Sequence, residues 1–287
     1  MKEDYSEYEI RPDILNYDDL RKMVPALDGH PKIANWIMKL LWLDKCNATH
    51  AEVCDTPGPD VARRLLFEQY KIKLDIDGKE VLDHLPEGAF ITISNHPFGA
   101  IDGIILIHLI GEHRPEFKVM VNMILNRISS MRPNFIAVDA WESNDPEKKA
   151  VSMKGIRSVL RQLSEGKPVG FFPAGAMSKT TLRNGLQDRQ WQKSVIQIIK
   201  RAKVPVIPVF FHGRNSRLCN IMGHVCWPVR SLMIPAEMFK KSGKTVHVSV
   251  GQPISVEEQD KYPDLESFGK MLREKTYDLK RLGKKND

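Results

Sequence analysis

The chain has 287 residues, 42% of them hydrophobic, with 43 Lys and Arg against 36 Asp and Glu for a net charge of +7. That much apolar sequence excludes wholesale disorder and suffices for one large α/β domain or two modest ones. The basic balance favours anionic partners, but the cations are scattered apart from the Lys280-Arg281 and Lys284-Lys285 tail, so nucleic acid is not expected.

The four cysteines, Cys46, Cys54, Cys219 and Cys226, form no CxxC pair and suit a reducing cytoplasm. Met1 to Asp13 is acidic and polar, unlike a secretory signal. No run approaches the ~20 apolar residues of a spanning helix, so a membrane would be met peripherally, from its cytoplasmic face.

The first ~75 residues read as a helical N-terminal subdomain, with residues 76–287 as an α/β domain. Helices are expected at Asp18–Val24, Lys32–Lys45 and, after the Thr56-Pro57-Gly58-Pro59 breaker, Asp60–Tyr70. The second places Ile33, Trp36, Ile37, Leu40 and Leu41 on one face. With Trp42, Lys32, Lys39 and Lys45 it suits a membrane interface or, equally, packing on a sheet. Strands are then expected at Lys71–Ile76, Phe90–Ser94, Phe117–Val121, Asn134–Val138, Val169–Phe172, Val206–Phe211 and Thr245–Val250. Helices fall at Asp102–Ile110, Glu147–Ser164, Gln187–Ala202 and Val256–Leu282. This alternation predicts a mostly parallel or mixed central sheet flanked by helices, with chemistry where loops leave the carboxyl ends of strands.

Three segments stand out. Ile91-Thr92-Ile93-Ser94-Asn95-His96-Pro97-Phe98-Gly99-Ala100-Ile101-Asp102-Gly103 runs from an apolar strand through a tight loop into a helix. Asp102 suits the helix start. Its carboxylate can also fold back onto His96, fixing the tautomer and leaving the second ring nitrogen as a base. A plain strand–turn–helix connection explains the same spacing. Val169-Gly170-Phe171-Phe172-Pro173-Ala174-Gly175-Ala176-Met177-Ser178 is a second buried strand whose loop should open on the same sheet edge, with backbone N–H groups near Gly175 to steady an oxyanion. Val204-Pro205-Val206-Ile207-Pro208-Val209-Phe210-Phe211-His212-Gly213 is a third, followed by Arg214, Asn215 and Arg217.

In this order the segments resemble the lysophospholipid acyltransferase superfamily, which includes the glycerol-phosphate and lysophosphatidate acyltransferases. The form NHPFGAIDG is similar to a bacterial hemolysin-like subgroup that includes ornithine and glycine lipid O-acyltransferases. The resemblance implies that His96 deprotonates an acceptor hydroxyl while Asp102 orients it, with an acyl carrier protein or coenzyme A thioester as co-substrate and no other cofactor or metal. Substrate contacts are further expected at Asn95 and Gly99 and at Pro173, Ala174, Gly175 and Ser178, while Arg183, Arg214 and Arg217, beyond the motifs, offer positive charge to a carboxylate or to the donor's phosphate arm. Two departures point away from a glycerol-phosphate acceptor. Five residues rather than four separate His96 from Asp102, and Ala174 stands where the FPEG motif carries Glu. The second motif's Arg is also displaced, since Arg132 precedes Asn134–Asp139. The expectation is therefore a lyso-type amino-acid lipid acceptor. Lysophosphatidate, a thioesterase or lipase reaction, and a non-catalytic membrane-binding role remain the alternatives.

Cys46, His50 and Cys54 have helical ligand spacing but no fourth partner, so two free thiols and a surface His are expected. Cys219, His224 and Cys226 are read the same way. GxSxG, GxGxxG and GxxxxGK[ST] are absent.

Overall fold

The computed structural model describes residues 5–138, 146–181, 185–225 and 227–284. Seven strands form one sheet: β1 (Lys73–Asp77), β2 (Ile91–Ser94), β3 (Lys118–Asn122), β4 (Phe135–Val138), β5 (Val169–Phe171), β8 (Val206–Phe211) and β9 (Thr245–Val250). A two-stranded hairpin, β6 (Lys179–Thr181) and β7 (Gly185–Gln187), stands apart. The sheet order is β1-β9-β8-β2-β5-β3-β4, parallel throughout except between β8 and β9. Central strands β2, β5 and β8 are buried along their whole length, which explains their unbroken apolar sequences. Because they run the same way, their carboxyl ends open on one edge.

The helices are α1 (Tyr17–Met23), α2 (Pro31–Leu40), α3 (Leu43–Ala51), α4 (Pro59–Arg64), α5 (Lys79–Leu82), α6 (Ala100–Gly111), α7 (Pro146–Ser164), α8 (Lys193–Ala202), α9 (Arg217–Val225), α10 (Trp227–Leu232), α11 (Ile234–Phe239), α12 (Val256–Gln259) and α13 (Leu265–Asp278). Helix α6 is apolar nearly all round and almost wholly buried, as a helix enclosed on every side must be. Its Ile101, Ile104, Ile105 and Ile107 share one core with Val61, Ala62, Leu65 and Leu66, and with β8 residues Ile207, Val209 and Phe211. A second core, on the other sheet face, joins Ile91, Ile93 and Phe171 to Val195, Ile199, Phe268 and Leu272. Leu15, Leu20, Leu27 and Ala34 make a small separate cluster. Strand β1 spans the expected boundary at residue 75, and α4 belongs to the main core.

Every expected sheet strand is present, while several helices differ. The Lys32–Lys45 helix breaks at Trp42, whose φ of 62° puts it in the left-handed region, so α2 and α3 are separate. Asp60–Tyr70 begins as α4 and widens into a π turn at Leu65–Gln69. The expected Gln187–Ala202 helix starts only at Lys193, because Gln187 closes the β6–β7 hairpin. Val256–Leu282 is two helices separated at Pro263, a residue that lacks the N–H a continuous helix needs.

His50 is buried rather than on the surface. Its ring nitrogens lie 2.8 Å from the Pro12 carbonyl and 2.7 Å from Ser130 Oγ. Both are thus occupied without a metal ligand, and burial pushes the neighbouring Cys46 thiol up to about 12. Cys46, Cys54 and Cys219 are free thiols, while Cys226 lies outside the described residues. Among the described residues no helix is long and apolar enough to cross a membrane.

Candidate active site

Strand β2 ends at Ser94, and the next residue staples the edge together. Asn95 Nδ2 donates to the Phe211 carbonyl at 2.9 Å, and its Oδ1 accepts from the Phe211 N–H at 2.7 Å. Asn95 therefore continues the pairing with β8 through its side chain and holds the start of the loop rigid. Both ends of its amide are engaged by backbone.

The loop then turns sharply so that Asp102, in the first turn of α6, faces back toward His96. Asp102 is fully buried. Its Oδ2 accepts from the Phe98 N–H at 2.9 Å and the Gly99 N–H at 3.0 Å, and lies 2.8 Å from His96 Nδ1. The two amides hydrogen-bond to Oδ2, whereas His96 Nδ1, although this close, is not aligned for a hydrogen bond with it. Asp102 Oδ1 is buried without a hydrogen-bond partner. Burial raises the Asp102 carboxyl above the ordinary carboxylate range, while His96 and the two amides oppose the rise. Gly99 makes the turn possible: its φ is 94°, and a Cβ there would lie 2.9 Å from Met177 Sδ.

The second motif meets the first at this edge. The Phe172 ring lies against the His96 imidazole, centroids 4.1 Å apart. Ser178 N–H donates to the His96 carbonyl at 2.8 Å, its Oγ donates to Asp188 Oδ1 at 2.6 Å, and its carbonyl accepts from Arg230 Nη2 at 2.7 Å. The imidazole keeps Nδ1 toward Asp102 and is 19% exposed, so Nε2 is the nitrogen available to a substrate proton.

Other expected contacts have structural duties. Gly175 N–H closes a turn onto the Phe172 carbonyl at 2.9 Å, so that amide is not free for an oxyanion. Gly175 itself has a φ of 62°, and a Cβ would collide with Gln192. Pro173 accepts the Gln192 N–H at 2.8 Å. Ala174 is buried in the second core rather than facing the mouth. Arg214 and Arg217 line a cleft beside the loop, and Arg183 lies outside the described residues.

Two positioning residues escape a sequence reading. Asp188 is buried and accepts from His96 N–H at 3.2 Å, Ser178 Oγ and Trp191 Nε1, tying both motifs together. Arg230 is buried on α10 and reaches the same Ser178. The lack of apolar periodicity across Gln187–Gln192 is the signal that could have placed Asp188 in a loop. Among the described residues, Asp77, His212 and His247 bring one potential metal-ligand atom each within 4.8 Å of one another. They are linked by hydrogen bonds through Ser249. His212 shares a sheet face with Phe210, opposite the face that carries Phe211 and Phe172.

The sequence profile of the family described as Acyltransferase matches residues 24–284. The chain belongs to that family. Among its acyltransferase relatives is the lyso-glycine lipid O-acyltransferase of Bacteroides thetaiotaomicron, 27% identical over 256 residues, covering 86% of this chain and 89% of the relative. The protein of the same name from Phocaeicola vulgatus is 24% identical over 257 residues, covering 86% and 87%. The solved structure of PlsC, a 1-acyl-sn-glycerophosphate acyltransferase from Thermotoga maritima, covers 88% of both chains with a TM-score of 0.50 and 14% identity, a likeness of fold.

The buried Asp102 generates a prediction about both stability and turnover. Its folded-state value is raised, so the stability it contributes is present below its unfolded value of about 3.9. That contribution is lost as pH rises through the higher folded value. Asp102→Asn removes that penalty. At pH 8 the variant should have a urea midpoint at or above wild type, while turnover falls roughly 10²–10⁴-fold. A markedly lower midpoint would show that the charge stabilises the fold.

Proposed function

We propose that this acyltransferase moves a fatty acyl group from an acyl carrier protein or coenzyme A thioester to the hydroxyl of a lyso-type amino-acid lipid, working at the cytoplasmic membrane surface. The observation that carries the reaction is the His96–Asp102 pair at the open sheet edge. The acceptor class is supported by the two relatives named for lyso-glycine lipid and by Ala174, which is buried where a phosphate-acceptor motif carries an acidic side chain.

In this mechanism the acceptor oxygen attacks the thioester carbonyl as His96 Nε2 takes its proton. Collapse of the tetrahedral intermediate breaks the C–S bond, and the imidazolium returns the proton to the departing sulfur. The acyl ester and free thiol leave with no covalent enzyme intermediate. Gly175 N–H is already bonded, so oxyanion stabilisation falls to a basic side chain near the loop. Lys241, whose Nζ sits 4.8 Å over the Phe98 ring, is the candidate.

Two exposed apolar stripes support peripheral binding. On α2, Ile33, Trp36 and Leu40 are 50%, 62% and 61% exposed, while Ala34 and Ile37 turn toward the small N-terminal cluster. Trp42 instead packs on Phe239 with Lys45 over its ring. On α9, Leu218, Ile221 and Val225 are exposed at helical spacing, beside Arg217. Because the α2 stripe is outside the core, Trp36→Asp with Leu40→Asp should leave the protein folded. It should also reduce sedimentation with anionic vesicles, and added salt should weaken wild-type binding further. Undiminished binding by the folded double variant would rule out this face.

The acceptor is tested by competition with a saturated acyl thioester. Lysophosphatidate and an N-(3-hydroxyacyl) amino acid offered together should yield predominantly the acylated amino-acid lipid. Predominant phosphatidate would reverse the acceptor assignment, and hydrolysis alone would mark a thioesterase.

A further inference from the structure

Beside the catalytic loop lies a cleft of about 390 Å³ walled chiefly by cations: Arg214, Arg217, Lys240, Lys241 and Lys244, with the single carboxylate Glu237. That carboxylate is already engaged. It accepts from Ser216 N–H at 2.7 Å, from Ser216 Oγ at 2.6 Å and from Lys240 Nζ at 2.7 Å. Glu237 thus shapes the loop and neutralises Lys240. Lys241 donates to the Arg214 carbonyl at 2.8 Å. Arg214, Arg217 and Lys244 have no ion-pair partner among the described residues. Burial holds Lys241 below the usual lysine range, with Glu237 opposing the shift and Lys244 adding to it. Several cations therefore converge on one cleft with no free anion, an arrangement that a bound anion relieves.

The cleft is joined to the dyad by a short relay. Asn215 Nδ2 donates to the Phe98 carbonyl at 3.0 Å, and the Phe98 N–H donates to Asp102 Oδ2 at 2.9 Å. Asp102 is also among the charges that act on Lys241. A cleft so linked to the dyad favours, of the anions the reaction brings, the one nearer to the reacting atoms. In an N-(3-hydroxyacyl) amino acid, the reacting hydroxyl and the carboxylate are separated by a methylene, an amide and one Cα. That is on the order of 7 Å, the span of two extended residues. The donor's phosphate sits at the far end of the much longer pantetheine arm. Arg forks match a carboxylate bidentately, which a lone lysine does not.

We propose that Arg214, Arg217 and Lys244 form the headgroup subsite for the acceptor's free carboxylate, placing its hydroxyl at His96 Nε2. The proposal rests on the acceptor class proposed above and names the side chains that select it. The exposed α9 stripe begins at Arg217, so the acyl chain of a membrane-borne acceptor and its headgroup meet the protein on one side.

The test compares kcat/KM for an N-(3-hydroxyacyl)glycine with that for its methyl ester, at saturating acyl thioester, in wild type, Arg214→Gln and Arg217→Gln. Wild type should favour the acid by about tenfold or more, the effect expected of a charge-assisted carboxylate contact. Each exposed-Arg variant should move that ratio toward one through a raised acceptor KM. Equal use of acid and ester by wild type would overturn the subsite while leaving the acceptor class intact. A raised donor KM with an unchanged acid-to-ester ratio would also overturn it, assigning the cleft to the donor's phosphate. A wild-type enzyme that acylates neither compound, yet acylates lysophosphatidate, would overturn both.

Discussion

The buried carboxylate of Asp102 is the constraint around which the site is organised. It has no access to water, so its partners must come from the protein: Oδ2 takes the Phe98 and Gly99 amides and lies 2.8 Å from His96 Nδ1, while Oδ1 has no hydrogen-bond partner. Satisfying it folds the loop back over the start of α6 and turns His96 Nε2 outward. The fifth loop residue between His96 and Asp102 is accommodated by the left-handed turn at Gly99. Capping of α6 and the approach of the carboxylate to His96 are therefore one arrangement. Its energetic tension is built in, because the charge beside His96 is penalised by burial.

The rest of the fold holds that loop from three sides. Asn95 clamps its start to β8. Asp188 and Ser178 fasten the His96 backbone to the second motif, with Arg230 behind Ser178. Asn215 secures the Phe98 carbonyl from the cationic cleft. Parallel β8, β2 and β5 make this possible by delivering three loops to one edge, and alternation beyond Phe211 leaves the His212–His247 pair on the opposite face. The dyad is enclosed, whereas α2 and α9 carry exposed apolar side chains.

What was legible in the sequence was whatever local pattern encodes. Buried parallel strands announce themselves as runs such as Ile91–Ser94 and Val206–Phe211, because both faces are covered. The His96–Asp102 pairing was also readable, since a short loop limits where the carboxylate can go. Less legible were features decided by distant partners. Nothing local marks His50 as buried, because its partners are Pro12 and Ser130. Local pattern leaves the Gly175 amide free, and only the turn onto Phe172 engages it. Helices α9 to α11 are short and interrupted by Pro228 and Pro235, so no long apolar period betrays them. Asp188 lay hidden in a segment read as helix.

The central claim is that His96 is the base whose proton transfer drives acyl transfer. Its most direct test is single-turnover transfer from an acyl thioester to a hydroxylated acceptor lipid by purified His96→Ala, with folding verified by circular dichroism. The account predicts a transfer rate lower by roughly 10²–10⁴-fold, with acceptor binding retained. A folded variant transferring acyl groups within a few-fold of wild type would contradict it.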